Sequence, residues 1–191
     1  MKSNELLADV KRITHENLAL AKKHFTDLTL DQLNWKKDEQ SWSINQVFAH
    51  LNAYAAYYNP TFLDKINTTT FKESIEVFHS SPLGKSAWSS MKLGNANNVK
   101  RKFKAPKLYN PISNSSIDLN ETIKTFLEDQ RNLLTIIEKS IHVNLRRVKI
   151  PTSISKLIRL RLGDALYFVV YHNERHIQQA LSILNHSNFP K

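Results

Sequence analysis

An all-α fold built on four long helices follows from three features of the sequence. Glycine is scarce, with only Gly84, Gly94 and Gly163 in 191 residues, which disfavours turn-rich β architecture and glycine-built phosphate loops. Long stretches free of Gly and nearly free of Pro carry apolar residues at three- and four-residue spacing, the period of one helical face. A hydrophobic content of 41% supports a real core at this length. The whole chain, 1–191, reads as a single helical domain, with an irregular crossover over about 67–117 between the second and third long helices.

The first helix is expected from Ser3 to Thr26, with Ser3 as N-cap and Leu7, Val10, Thr14, Leu18, Ala21 and Phe25 as its stripe. His15 and His24 fall off the centre of that stripe and read as surface or boundary residues. Thr29 to Trp35 forms a short helical turn. The second long helix opens at Ser43, whose capping box is completed by Gln46. Its inner face is Ile44, Val47, Leu51, Tyr54, Tyr58 and Phe62, and Pro60 is expected to kink or restart it. His50 projects near that same face.

The crossover carries Pro82, Gly84, Gly94, Pro106 and Pro111 and an Asn-rich patch at Asn95 to Asn98. A structureless loop of that size is unusual in a compact domain, so short helices are expected at Phe71–Phe78 and Ala87–Leu93. Asp118, answered by Glu121, is read as the cap of the third helix. That helix runs to about His142 with Ile123, Phe126, Leu127, Gln130, Leu133, Leu134, Ile137 and Ile141 on one face. A basic connection through Leu145–Thr152 leads to the fourth helix, from Leu162-Gly163-Asp164 to about Asn185.

Chemistry concentrates in that last helix. His172 and His176 lie one turn apart and extend the apolar stripe of Ala165, Val169, Ala180 and Ile183. Two inward imidazoles are either satisfied core histidines or two ligands of a metal. An unpaired imidazole on an apolar face carries a desolvation cost, neither has an inward carboxylate neighbour, and His50 holds an equivalent position on another helix. Metal: His50, His172 and His176 is therefore the expected set, holding one divalent ion. Three neutral imidazoles leave coordination positions open, as catalytic sites require. Such an ion can activate water, or bind and deprotonate a thiol. The intervening residues match neither H-E-x-x-H nor H-x-x-E-H. Glu174 sits about 200° around the helix from either histidine, so a zincin-type base is excluded and a surface or inter-helix ion pair is expected for it and for Arg175. Gln179, one turn beyond His176, can reach the groups surrounding the metal ligands, although a polar core contact is the simpler reading. Trp42, Tyr54 and Tyr58 are candidates to shape a pocket. No general base is identifiable.

Other classes are excluded or weakened. Absence of cysteine removes disulfides and thiolate ligands. No apolar run reaches spanning length, and no signal-peptide core follows Met1, so a cytoplasmic protein with no membrane partner is expected. The net charge of +10 raises nucleic acid as a partner. It concentrates at Lys100–Lys104 and at Arg146, Arg147, Lys149, Lys156, Arg159 and Arg161, which read more simply as basic connections. His79-Ser80-Ser81-Pro82-Leu83-Gly84-Lys85-Ser86 ends like a P-loop, but His79 replaces its first glycine and Pro82 removes an N–H from the cradle.

Taken together, Trp42, Gln46-Val47-Phe48-Ala49-His50-Leu51, Lys102-Phe103-Lys104-Ala105-Pro106, Gly163-Asp164-Ala165-Leu166 and Tyr171 to Gln179 resemble the DinB-like superfamily (DinB/YfiT-type four-helix proteins) over nearly the whole chain. The resemblance implies an all-α four-helix bundle, up-down-down-up, with its long connection between helices two and three. It also implies nickel or zinc on the three histidines, a homodimer, and thiol S-transfer, hydrolysis or isomerisation of a small molecule. The rival functions are a non-catalytic metal-binding dimer and a basic nucleic-acid binder.

Overall fold

Three of the four long helices begin where the sequence or the fold supplies a partner for their first N–H groups. The computed structural model describes residues 1–94 and 104–191. Helix α1 spans Ser3–Phe25, α2 Leu30–Asn34, α3 Ile44–Thr68, α4 Pro82–Met91, α5 Thr122–Lys139 and α6 Leu162–Leu184. Ser43 caps α3 as expected, its hydroxyl accepting from Gln46 N while Gln46 accepts from Ser43 N. Ser3 does not cap α1. It is the first helical residue, and its N–H donates to the Glu76 carbonyl at 2.8 Å, while Glu5 accepts from Lys2 N. Asp118 does not cap α5 either: it accepts from Asn120, and the helix starts later, after Glu121 at φ 44.

Side-chain pairs fix the helix directions. Residues 45, 52 and 59 of α3 bond to 122, 122 and 129 at and within α5, so these helices run parallel. Asp9 and Asn17 of α1 meet Tyr167 and Val170 of α6, also parallel. Tyr54 and Tyr58 meet His172 and Phe168, antiparallel. The four long helices therefore form an up-down-down-up bundle in which α1 and α3 each pack against both α5 and α6.

The crossover differs from expectation. Phe71–Phe78 is not helical; Val77 bridges Lys2 in extended backbone and Phe78 N donates to the Met1 carbonyl. The second short helix exists but starts earlier, at Pro82, because Ser81 caps it. The Asn95–Asn98 patch and the Lys100–Phe103 run lie outside the described residues. The basic connection after α5 holds an antiparallel pair, β1 (Lys149–Pro151) and β2 (Arg159–Arg161), in register Lys149 with Arg161 and Pro151 with Arg159. Pro60 does not restart α3. Both Pro60 and Ala56, whose carbonyl loses its intrahelical donor, are exposed, so water can serve that carbonyl.

The core is divided. One apolar cluster takes Leu6 to Ile13, Tyr54 to Ile66, Leu133 to Ile137 and Leu162 to Tyr171; the other takes Ala21 and Phe25, Ile44 to Leu51, Ile123 to Leu127, and Ile177 with Ala180. Between them every long helix carries a buried polar side chain: Asn17, His50, Gln130, and His172 with Asn173. Asn17 donates to the Val170 carbonyl and Asn173 donates to Gln130. This polar layer is where the predicted site lies.

Candidate metal centre

His50 sits on α3 one turn after Val47 and one turn before Tyr54, and is 2% exposed. His172, 6% exposed, and the less enclosed His176 face it from α6. One ligand nitrogen from each histidine lies within 4.8 Å of the other two, and this is the one such His, Cys, Asp or Glu cluster among the described residues. His50 Nε2 is 3.3 Å from His172 Nε2. An ion ~2.0–2.1 Å from two nitrogens at the tetrahedral angle separates them by about 3.3 Å. The donor set fits a divalent cation.

Two of the three outer ring nitrogens are tied down. His50 Nδ1 donates to the Tyr109 carbonyl at 2.6 Å, and His176 Nδ1 donates to Gln179 Oε1 at 2.8 Å. Each bond fixes the tautomer that leaves Nε2 bare, the arrangement a metal-binding imidazole needs. Burial holds all three rings neutral. It takes His50 down to about 4 against the pull of the Tyr109 carbonyl, and lowers His176 and, well below its ordinary value, His172. No proton has to leave these rings at neutral pH before an ion enters.

Aromatic rings wall the cluster. The Trp42 ring lies 4.9 Å from His50 and stacks on His176 at 6.1 Å; Tyr54 lies 4.9 Å from His50 and 4.5 Å from His172. Tyr58 touches Tyr54 at 6.2 Å and is one ring removed. Phe168, one turn before His172, stacks on it at 6.0 Å and 15°. A cavity of about 640 Å³ between Phe25, Leu33 and the start of α5 is lined by none of the histidines.

Glu174 is outside the ligand cluster, facing Glu16, Arg12 and Lys92, and burial raises its carboxyl. Arg175 is 7% exposed, which removes the surface half of its expected surface or inter-helix ion pair. The Tyr109 contact had no sequence signal, because a carbonyl is common to every residue and a single 3-10 turn such as Lys107–Tyr109 leaves no periodicity. Phe168 was legible as a one-turn neighbour of His172.

Among the described residues no helix is long and apolar enough to cross a membrane. No curated protein matches the chain in sequence. YfiT from Bacillus subtilis, a probable metal-dependent hydrolase with an unusual four-helix bundle topology, shares the fold with a TM-score of 0.56 at 15% identity, over 96% of this chain and 88% of that one. The family model of the DinB superfamily matches residues 13–180, a span that includes all three histidines. The chain belongs to the DinB superfamily.

Proposed function

We propose that His50, His172 and His176 bind one divalent ion through Nε2, and that the protein is a metal-dependent enzyme acting on a small molecule by hydrolysis or thiol transfer. The observation that carries this is the convergence of three neutral imidazoles, two of which, His50 and His176, already commit their outer nitrogens. When bound, such an ion lowers the pKa of a coordinated water or thiol and polarises a substrate group. The chain's own residues orient the ligands, and Trp42, Tyr54 and Phe168 restrict water around them. Hydrolysis is supported by what is said of YfiT. Thiol transfer, nickel or zinc as the ion, a homodimer and a cytoplasmic setting rest on the resemblance to the family and on the sequence reading.

The rival is a cluster of core histidines held by their own hydrogen bonds. An Nε2–H of His172 donating to His50 would satisfy two rings, but it would give His176 Nε2 nothing. Metal analysis of the purified protein and of His50→Ala separates the two readings. We expect about one ion per chain in the first and loss of tight binding in the second; equal, tightly held metal in both preparations sinks the ligand assignment. With metal established, His172→Ala is expected to abolish turnover. If only metal-dependent stability falls, the non-catalytic bundle is the better description.

A further inference from the structure

The hairpin between α5 and α6 lies in an uncompensated stretch of positive charge. From Lys139 to Gly163 the sequence has seven of its 27 Lys and Arg residues and none of its 17 Asp and Glu residues. Strand alternation turns Ile150 and Leu160 into the core, at 0% and 2% exposure, and leaves Lys149 and Arg159 exposed. Lys149 stands directly across from Arg161, an arrangement of like charges that costs stability in a strand pair.

The tip of this hairpin is apolar. Ile154, Leu157 and Ile158 are 74%, 90% and 43% exposed within five residues. They do not hang from a loose loop. Thr152 N donates to the Ile158 carbonyl, Ile158 N donates to Ser155, Tyr57 donates to the Thr152 carbonyl, and Ser153 N donates to the Tyr58 hydroxyl. An ordered tip presenting aliphatic side chains, inside a collar of cations, suits a surface that is anionic outside and hydrocarbon within.

We propose that the β1–β2 hairpin docks the protein on an anionic lipid surface, with Ile154, Leu157 and Ile158 entering the acyl boundary and Lys149, Lys156 and Arg159 resting among the headgroups. This is attachment to a surface and requires no spanning helix. A second copy of the chain is the poorer occupant, since it would bring two cationic collars face to face. Nucleic acid would satisfy the cations, but it buries aliphatic side chains only by unstacking base steps, whereas an acyl boundary receives them at no such cost. Docking here would also set the histidine cluster close to the bilayer, since the tip is anchored on Tyr58, which touches Tyr54, which touches His172.

The test is co-sedimentation of the full-length protein with phosphatidylcholine vesicles and with vesicles containing phosphatidylserine. Two variants accompany it, Ile154→Ser with Leu157→Ser and Lys156→Glu with Arg159→Glu, each checked for native helicity by circular dichroism. Wild type is expected to bind the anionic vesicles, less so as salt rises, and to leave the neutral ones in suspension. Each double variant is expected to bind them about tenfold or more weakly. Absence of binding to anionic vesicles overturns the proposal. So does a tip variant that binds as well as wild type, which would point to bare charge and a nucleic-acid partner. A wild-type dimer that the tip variant dissociates, without vesicle binding, assigns the surface to a second copy instead.

Discussion

His50 and His176 each spend one ring nitrogen on holding still and leave the other bare. For His176 the holding group is a side chain, Gln179, so it can be removed without touching the ligand. Gln179→Leu frees the ring to rotate and removes the acceptor that keeps the proton on Nδ1. Metal affinity is expected to fall by about 10- to 100-fold, read by competition with a chromophoric chelator; an unchanged affinity would mean the ring is oriented by packing alone. His50 has no equivalent variant, because its acceptor is the Tyr109 carbonyl. That difference marks the limit of sequence reading at this scale. Histidines at 172 and 176 on an apolar stripe, and Gln179 a turn beyond, are visible as spacing. A carbonyl brought in by a distant turn is not, and neither is the burial of Arg175, which depends on what faces it.

Among the elements, the α4–α6 contact turns on one missing side chain. Gly84 lies in α4, and a Cβ there would stand 2.1 Å from Asp164 Oδ2, an atom that already accepts from Ser81 N and Oγ. Asp164 is fully buried, so it has nowhere to withdraw. Helix propensity alone predicts that Gly84→Ala stabilises by about 1 kcal/mol, whereas overpacking costs ~1–3 kcal/mol. Thermal denaturation is expected to show net destabilisation; a higher Tm would mean that α4 moves freely on α6. The Gly-Lys-Ser resemblance to a phosphate loop thus has a packing origin, since a carboxylate occupies the place a phosphate would take. Capping patterns located α3 well because Ser43 and Gln46 have no competing bonds. At Asp118 the same pattern misled, since Asn120 draws the carboxylate into a local turn. The three-residue strands were invisible for a simpler reason: two turns of alternation are too few to distinguish from a loop.

The whole molecule keeps three neutral imidazoles between two apolar clusters, and its stability without metal must depend on pH. An unfolded chain takes up protons on these rings near pH 6.5, while the folded chain resists until well below, about 4 for His50. The folded values are depressed, so the unfolded state binds more protons across that window. Stability is therefore full above about pH 6.5 and is lost as pH falls toward 4, with His50 alone contributing on the order of 3 kcal/mol. Asp129, raised to about 6 mainly by burial, works in the opposite sense over part of the window. Urea unfolding of metal-free protein at pH 7.5 and pH 5 checks the sign, and His50→Gln should flatten the difference. A slope that the variant leaves intact would locate the pH dependence elsewhere.

The polar layer bears on more than chemistry. Each of the four rods carries a buried hydrogen-bonding side chain at this height, so these particular groups meet at one depth. Slipping a single helix by one turn, about 5.4 Å, would strand Gln130 or Asn17 against leucine and isoleucine and set an imidazole opposite phenylalanine, each at a desolvation cost of roughly 1–3 kcal/mol. The three histidines thus double as a graduation mark, helping to align the bundle whether or not an ion is bound.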